Sequence, residues 1–251
     1  MKWISIQLIF FGCLILQLAT GCQKQGLSST AYSSSGAGGS LAKFAIVGNY
    51  LYTVDPHTLF IYDISDPSSP ISRGEINAGF DIETIFPYKD KLYLGASNGM
   101  YIFSLADPLN PVKESSITHF RACDPVVSND TASYVTLRSG SGNCGSTKNV
   151  LNVYNTKIID SPQLVSEIDM KSPYGLGINK NALYVCQGSN GLDIFNLSDP
   201  YNPALTTELK DLVCYDLIPY GDVLIVYIDK GVSFYNIEDA LNPYYLGKLQ
   251  D

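Results

Sequence analysis

The sequence has few of the residues and motifs that enzyme chemistry relies on. It contains two histidines, His57 and His119, in no H-x-x-x-H or H-E-x-x-H pattern, so we interpret each as a solvent-exposed loop residue. It also lacks a G-x-S-x-G nucleophile motif and a Walker-type phosphate loop. The stretch 139–142 is Ser-Gly-Ser-Gly without the lysine and helix that phosphate binding needs, so we interpret 137–149 as a surface loop. The sequence therefore shows no recognisable catalytic set.

Positive charge is scarce as well. The chain has 16 Lys and Arg residues against 24 Asp and Glu residues, which gives a formal net charge of -8. The basic residues form no cluster. Because an acidic protein is repelled by the phosphate backbone, the composition disfavours nucleic acid as a partner.

Long hydrophobic runs are limited to the N-terminus. After a short basic start, residues 4–18 are mostly apolar, which fits a signal-peptide core and falls short of the roughly 20 residues of a membrane span. The run ends in Leu18-Ala19-Thr20-Gly21-Cys22, which resembles a bacterial lipobox. We therefore predict a lipoprotein signal peptide at 1–21 and lipidation of Cys22. The alternative is an ordinary cleaved signal with an incidental cysteine.

The segment after the predicted lipid site is rich in Ser and Gly. Residues 23–40 hold hardly any apolar side chains, so they cannot bury a core, and we interpret 22–40 as a lipidated, flexible tether. Acyl chains on one N-terminal cysteine bury enough CH2 groups to hold a soluble domain on a membrane. We therefore expect lipid anchoring in the bacterial cell envelope, at the outer membrane, facing either the periplasm or the cell surface.

The remainder of the chain is organised by a repeat. An alternating apolar run followed by Asp, Asn or Ser and a Pro-x-x-Pro corner occurs at 59–70 and again at 100–111 and 192–203. More divergent copies lie at 151–162 and 232–243. The closing prolines are spaced by 41, 51, 41 and 40 residues, and they are Pro70, Pro111, Pro162, Pro203 and Pro243. A period of this length built from strands is typical of a radial or stacked β array.

Each repeat is predicted to be a four-stranded antiparallel blade. In the second repeat we place strands at 82–86, 91–95, 100–105 and 112–117, with Asn98-Gly99 as a two-residue hairpin turn. No helical period is present, so we predict an all-β fold, a β-propeller of five such blades over 41–251. One polar residue follows the aromatic of each third strand, and we expect it to hydrogen bond the corner backbone in an Asx-type turn. These residues are Asp63, Ser104, Asn155, Asn196 and Asn236.

The repeat resembles a known family. Leu59-Phe60-Ile61-Tyr62-Asp63, followed by an Asp-Pro-x-x-Pro corner, is similar to the repeat of the LVIVD proteins, which are exported bacterial β-propellers largely of unknown function. The resemblance covers residue 41 to the C-terminus and implies the propeller fold while saying little about activity. The third repeat departs from it, because Lys157-Ile158-Ile159-Asp160 replaces the corner and about ten extra residues precede its third strand.

Four cysteines remain beyond the predicted lipid site. Export makes disulfides permissible. Strand register places Cys123 and Cys214 at the start of first strands, Cys186 at the end of a second strand and Cys144 in the insertion after one. We therefore predict the pairs Cys123–Cys144 and Cys186–Cys214. A zinc site is the rival interpretation, but no C-x-x-C spacing or nearby histidine supports it.

Polar and aromatic side chains align at or beside the starts of first strands, which surround the mouth of a propeller channel. They form a candidate ligand-binding rim and are Asp81, Glu83, Asp124, Tyr174, Tyr215 and Asp216. Acidic groups there could hold Ca2+, which takes six to eight oxygen ligands, although no other cofactor is indicated. The alternative is that these residues only hydrogen bond the rim and keep the protein soluble.

These observations favour a non-catalytic binding module at the cell envelope. Its membrane partner would be reached through the N-terminal lipid, and its protein or glycan ligand is not identified by the sequence. A propeller hydrolase or lyase that acts on a glycan or lactone with a rim-bound metal is the alternative. An envelope assembly scaffold is a third possibility.

Overall fold

The computed structural model describes residues 39–118, 125–140 and 147–250, and in these residues every regular element is a β-strand. The strands form five four-stranded antiparallel sheets arranged as a five-bladed β-propeller, so the predicted fold class is confirmed. The described residues contain no helix long and apolar enough to cross a membrane. Residues 1–38, which include the predicted signal peptide, Cys22 and most of the tether, lie outside the described part, so those predictions stay open.

The blades, numbered I to V, follow one another along the chain. Blade I contains β1 (Phe44–Val47), β2 (Tyr50–Val54), β3 (Thr58–Asp63) and β4 (Ile71–Asn77). Blade II contains β5 (Ile82–Tyr88), β6 (Lys91–Ala96), β7 (Gly99–Ser104) and β8 (Val112–Thr118). Blade III contains β9 (Val126–Ser128), β10 (Ala132–Leu137), β11 (Val150–Asn155) and β12 (Gln163–Asp169). Blade IV contains β13 (Leu176–Asn179), β14 (Ala182–Cys186), β15 (Leu192–Asn196) and β16 (Ala204–Leu209). Blade V contains β17 (Asp216–Tyr220), β18 (Val223–Ile228), β19 (Gly231–Asn236) and β20 (Tyr244–Gln250).

Each blade is an uninterrupted meander with one recurring irregularity. Consecutive strands pair in sequence order, so no strand is exchanged between blades among the described residues. The ladder between the third and fourth strands slips at the aromatic residue of the repeat in all five blades, for example between Ile61 and Tyr62 and between Phe234 and Tyr235. A bulge of this kind increases the local twist of the strand pair.

The polar residues after the third strands have the structural role that the sequence predicted. Asp63 Oδ1 accepts a hydrogen bond from Ser65 N at 2.9 Å, and Asn196 Oδ1 accepts one from Ser198 N at 2.8 Å. Ser104, Asn155 and Asn236 make the same contact two residues along, at 3.2, 3.1 and 3.0 Å. These side chains therefore fold the corner and are not arranged as a ring of ligands.

One predicted hairpin turn is wrong by a residue. Ala96 pairs directly with Gly99, so the turn residues are Ser97 and Asn98, and β7 begins at Gly99. Gly99 has φ of 154°, and a Cβ atom there would collide with the carbonyl oxygen of Ile117 on the neighbouring strand. Glycine is therefore required here both by its positive φ and by the close approach of β8.

Successive blades are joined by buried apolar clusters. Tyr52 and Ile61 of blade I pack with Leu92 and Leu94 of blade II, and equivalent clusters join II to III, III to IV and IV to V. Because each inner blade is covered on both faces, its second and third strands are almost entirely buried. Burial of these sheet faces is the main source of the fold's stability.

A tyrosine in the middle of the second strand links a blade to the next corner. The hydroxyls of Tyr52, Tyr134 and Tyr184 donate to the carbonyl oxygens of Pro108, Pro200 and Ala240, at 2.9, 2.9 and 2.7 Å. Tyr93 is the buried equivalent in blade II, but it faces the divergent corner of blade III, and no such bond is present among the described residues. In blade V the register position is Ile225, so the fifth blade has no tyrosine to make this link.

The junction between blades V and I differs from the other four. Within the described residues, no buried apolar cluster contains side chains from both blades. Instead the segment 39–42 connects the inner strands: Leu176 N donates to Ser40 Oγ at 2.7 Å, and Ile85 N donates to the Ala42 carbonyl at 2.9 Å. This segment therefore contacts blades II and IV, and it reaches blade V through Asp216.

Candidate functional site

The structure brings three of the predicted rim residues together at the start of the inner strands of blades IV and V. Tyr174 precedes β13, Tyr215 precedes β17, and Asp216 is the first residue of β17. The rings of Tyr174 and Tyr215 meet edge to face, with centroids 5.3 Å apart. Asp124 lies outside the described residues, so its predicted place in the rim is not tested.

Two further residues complete the aromatic group and were missed by the sequence analysis. The guanidinium of Arg138 lies over the Tyr174 ring, 3.9 Å from its centroid, and Tyr227 of β18 approaches Tyr215 with centroids 6.0 Å apart. We call Arg138, Tyr174, Tyr215 and Tyr227 the aromatic rim patch. Arg138 follows β10 directly at the start of the inserted loop, and this position beside a strand end was the only sequence signal that could have identified it.

A disulfide restrains the segment that carries Tyr215 of the aromatic rim patch. Cys186 at the end of β14 is bonded to Cys214, with their Cα atoms 4.9 Å apart, as the sequence predicted. Gly188 and Cys214 also form a two-way backbone bridge, with N–O distances of 2.9 and 3.0 Å. Because Tyr215 follows Cys214, these links hold its ring beside Tyr174. Cys123 and Cys144 lie outside the described residues, so the second pairing stays a prediction.

Asp216 faces the segment that crosses the inner strands. Ser40 Oγ donates to its Oδ1 at 3.5 Å, and the Leu41 backbone N–H also bonds its carboxylate. A Cβ atom on Gly39 or on Gly175 would collide with this carboxylate, and one on Gly175 would also approach the Asp216 backbone, so both glycines leave room for the carboxylate in its present position. Burial raises the pKa of Asp216 to about 6, because removal from water disfavours the charged form more than these hydrogen bonds favour it.

The acidic residues of blade II form a second, separate group. Asp81, at φ of 50°, accepts a hydrogen bond from Ser97 Oγ at 3.1 Å, which ties it to the β6–β7 turn. Burial raises the pKa of Glu83, with Lys43 opposing this and Asp81 adding to it. Asp81 and Glu83 therefore form a group on blade II beside Lys43, whereas the aromatic rim patch lies on blades III, IV and V.

The possible metal ligands of the rim are not gathered into one site in the part of the chain that the structure describes. There, no group of three or more His, Cys, Asp or Glu side chains is close enough to hold a metal ion. His57 is exposed, with its Nδ1 3.4 Å from the Gly79 carbonyl oxygen and its ring beside Phe80. His119 lies outside the described residues.

The comparison with known proteins identifies the repeat and the fold. The family model of the LVIVD repeat matches residues 38–78 and 177–211, which lie in blades I and IV. No curated protein matches the sequence at a significant level.

Several solved structures share the fold at low sequence identity. A functionally unknown protein from Desulfotomaculum acetoxidans is 12% identical with a TM-score of 0.66, and the alignment covers 83% of this chain and 69% of that one. A protein from Lactobacillus plantarum is 12% identical with a TM-score of 0.61, over 80% of this chain and 67% of that one. The periplasmic gluconolactonase of Pseudomonas aeruginosa is 11% identical with a TM-score of 0.61, over 81% and 68% of the two chains. At these identities the comparison establishes the fold alone.

Proposed function

We propose that this chain, a five-bladed β-propeller carrying LVIVD repeats, is a non-catalytic binding module that acts at the bacterial cell envelope through its aromatic rim patch. The observation that carries the proposal is the contact of Arg138, Tyr174 and Tyr215, which presents a guanidinium and aromatic rings at one place on the rim. Aromatic rings and arginine are the side chains that contribute most to recognition at binding surfaces.

The support beneath the patch suits binding without rearrangement. The Cys186–Cys214 disulfide and the Gly188–Cys214 backbone bridge restrain the segment that carries Tyr215. Thr136 Oγ1 donates to the Tyr174 carbonyl at 2.8 Å, which restrains the other ring. Side chains that are held in place lose little conformational entropy when a ligand binds, so the same contacts give a higher affinity.

The predicted lipid anchor supplies the location in this proposal. If Cys22 is diacylated, the propeller is held at the membrane through residues 22–40 and meets envelope components at high local concentration. Cys22→Ser should then move the protein from the detergent phase to the aqueous phase, and intact mass should show acyl groups on the wild type only. A wild-type protein without acyl groups that stays in the aqueous phase would refute the anchor.

The rim can be tested with purified envelope fractions. Full-length protein in detergent is sedimented with peptidoglycan and with outer-membrane fragments, and the variant Tyr174→Ala/Tyr215→Ala is compared with Tyr220→Ala. Tyr220 is an exposed tyrosine of the same blade outside the patch, so it is the matched control. We expect the wild type and Tyr220→Ala to co-sediment and the rim variant to stay in solution. If the wild type binds neither fraction, the proposal that the propeller is a binding module is wrong. If the rim variant co-sediments as well as the wild type, the aromatic rim patch is not the binding site.

An enzymatic function is the competing proposal. Two observations favour it: a periplasmic gluconolactonase has a similar fold, and Asp216 has a pKa of about 6, which would suit a general base. Against it, the Asp216 carboxylate is packed against Gly39, Ser40 and Gly175, which leaves little room for a substrate. A turnover screen with aldonolactones and oligosaccharides, with and without added Ca2+ or Zn2+, separates the two. Activity that Asp216→Asn or Glu83→Gln abolishes would favour the enzyme.

A further inference from the structure

A cleft lies between the outer parts of blades IV and V, and no residue of the aromatic rim patch is among its lining residues. Its volume is about 560 Å3, and its walls are the segment 208–213 on one side and the outer strands of blade V on the other. Pockets of roughly 300–1,000 Å3 are the usual size for small-molecule sites. None of the predicted rim residues lines it.

One position that lines the cleft in blade V is occupied by a small side chain. Ser233 of β19 faces blade IV, and the equivalent register position is Tyr101 in blade II and Asp193 in blade IV. Tyr101 is held in blade II by hydrogen bonds of its hydroxyl with Phe80 N and Asn98 Oδ1. Asp193 is buried in blade IV and accepts a hydrogen bond from Gln187 Nε2 at 2.6 Å. Serine is smaller than the side chain at this position in either of those blades.

Ser233 lines the cleft, and the residue is 4% exposed. A serine hydroxyl can both donate and accept a hydrogen bond, so on a cleft wall it offers a contact to a polar ligand atom or to water. Lys248 pairs with Ser233 across β19 and β20. Directly paired strand residues share one sheet face, so the two side chains project to the same wall.

The other residues that line the cleft include aromatic rings and side chains of both charge signs. Tyr235 and Tyr245 form an edge-to-face pair with centroids 5.6 Å apart. The carboxylates of Asp211 and Asp229 are acceptors, and the Lys248 ammonium is a donor. Lys210 is already paired with Glu208 at 3.3 Å. This mixture disfavours a strongly anionic, strongly cationic or purely apolar ligand.

We propose that this cleft binds a neutral saccharide of mono- to disaccharide size. A sugar offers hydroxyl groups that both donate and accept hydrogen bonds, which matches carboxylates, the ammonium and the Ser233 hydroxyl on one wall. Its C–H faces pack against aromatic rings, which matches the exposed ring of Tyr245, 55% accessible. The site is independent of the aromatic rim patch, and each can be correct without the other.

The inference is tested by filling the cleft with a residue that the repeat already accommodates. Ser233→Tyr places in blade V the side chain that blade II has at Tyr101, and Tyr245→Ala removes the exposed ring. Leu246→Ala is the matched control, because Leu246 is an exposed residue of the same strand that does not line the cleft. The probes are cellobiose, maltose, lactose and N,N′-diacetylchitobiose, measured by calorimetry and saturation-transfer NMR on the full chain in detergent.

We expect at least one disaccharide to bind with a Kd of about 1 mM or lower, and we expect Ser233→Tyr and Tyr245→Ala each to weaken binding by about tenfold or more. Leu246→Ala should leave the affinity within about twofold. Circular dichroism checks that Ser233→Tyr is folded. If it is not folded, the affinity of Tyr245→Ala alone decides whether the cleft binds the sugar. The inference is overturned if none of the probes binds, or if neither cleft variant changes the affinity. Loss of binding in Tyr174→Ala/Tyr215→Ala but not in the cleft variants would place the sugar at the rim, against this inference and in favour of the proposed function.

Discussion

The interface between blades IV and V and the junction between blades V and I both join copies of the same repeat, yet they are stabilised differently. At the first, Tyr184, Ile194 and Leu224 lie in one buried cluster that a disulfide and a tyrosine hydrogen bond reinforce. At the second, Phe44 of blade I and Tyr227 of blade V are 54% and 55% exposed. A propeller of five repeats therefore has four sealed interfaces and one junction of a different kind.

The difference follows from side chains that the terminal blades lack. Blade V has Ile225 where the other blades have a tyrosine, which forms the hydrogen-bonded link in blades I, III and IV. The outer face of blade V therefore makes no such bond to the corner of blade I among the described residues. The connection is made at the centre instead, by Ser40 and its contacts with Leu176 and Asp216. Burial of apolar side chains thus stabilises four interfaces, whereas hydrogen bonds of the segment 39–42 connect the blades at the V–I junction.

Removal of blade V should have the largest effect. Deletion of 212–251 uncovers the apolar face of blade IV and removes the disulfide partner of Cys186. At about 25 cal/mol per Å2, several hundred Å2 of apolar surface is worth on the order of 10 kcal/mol, which is comparable to the stability of a typical domain. We expect the truncated chain to aggregate, as measured by gel filtration and circular dichroism. A soluble four-blade protein with cooperative unfolding would show that the IV–V interface is not essential.

Loss of the disulfide should weaken the same interface by a smaller amount. Cys186 and Cys214 are separated by 28 residues. For a loop of this size, the chain-entropy model gives a stabilisation of about 3–4 kcal/mol. Cys186→Ala/Cys214→Ala should lose this amount in urea unfolding, with cysteines 123 and 144 left intact. A change below about 1 kcal/mol would mean that packing alone holds blades IV and V together.

The V–I junction should be the pH-sensitive one. Asp216 has a pKa of about 6 in the folded protein against 3.8 as the ordinary value, so the folded state binds its proton more tightly than the unfolded state. Stability should therefore fall as pH rises from about 4 to about 6, by up to about 3 kcal/mol, and level off above this range. Other carboxylates titrate too, so the test is the difference in unfolding free energy between the wild type and Asp216→Asn. A difference that stays constant from pH 4 to pH 7 would contradict the role given to Asp216.

The smallest effect is expected at the linking tyrosines. Tyr184→Phe leaves the buried Ala240 carbonyl without its partner and should cost about 1 kcal/mol. Ile225→Tyr adds a hydroxyl on the face where this link is missing and should change stability by less than about 0.5 kcal/mol. Both are measured by urea unfolding. If Ile225→Tyr stabilised the protein as much as Tyr184→Phe destabilised it, the V–I junction would be as closely packed as the others.

The local chemistry of each repeat was readable from the sequence. The strand pattern and the corner contacts of Asp63 and Asn196 depend on contacts within one blade. The Cys186–Cys214 pair joins the end of the second strand of blade IV to the segment just before the first strand of blade V. Their residues recur at a fixed period, so alternation and hydrogen-bonding capacity were enough to assign them. The displaced turn at Ser97–Asn98 was missed because the constraint on Gly99 comes from the neighbouring strand.

What the sequence by itself determined is therefore the blade and its number of copies, whereas the tertiary structure decided how the copies meet. Arg138 reaches Tyr174, and the segment 39–42 reaches Asp216, only because the angle between blades brings them together. The cleft behind Ser233 likewise depends on the spacing of blades IV and V. The physical reason is the sequence distance over which each interaction acts. Corner hydrogen bonds and side-chain alternation involve residues that are close in sequence, whereas packing between sheets depends on the shapes of two faces, which no single repeat specifies.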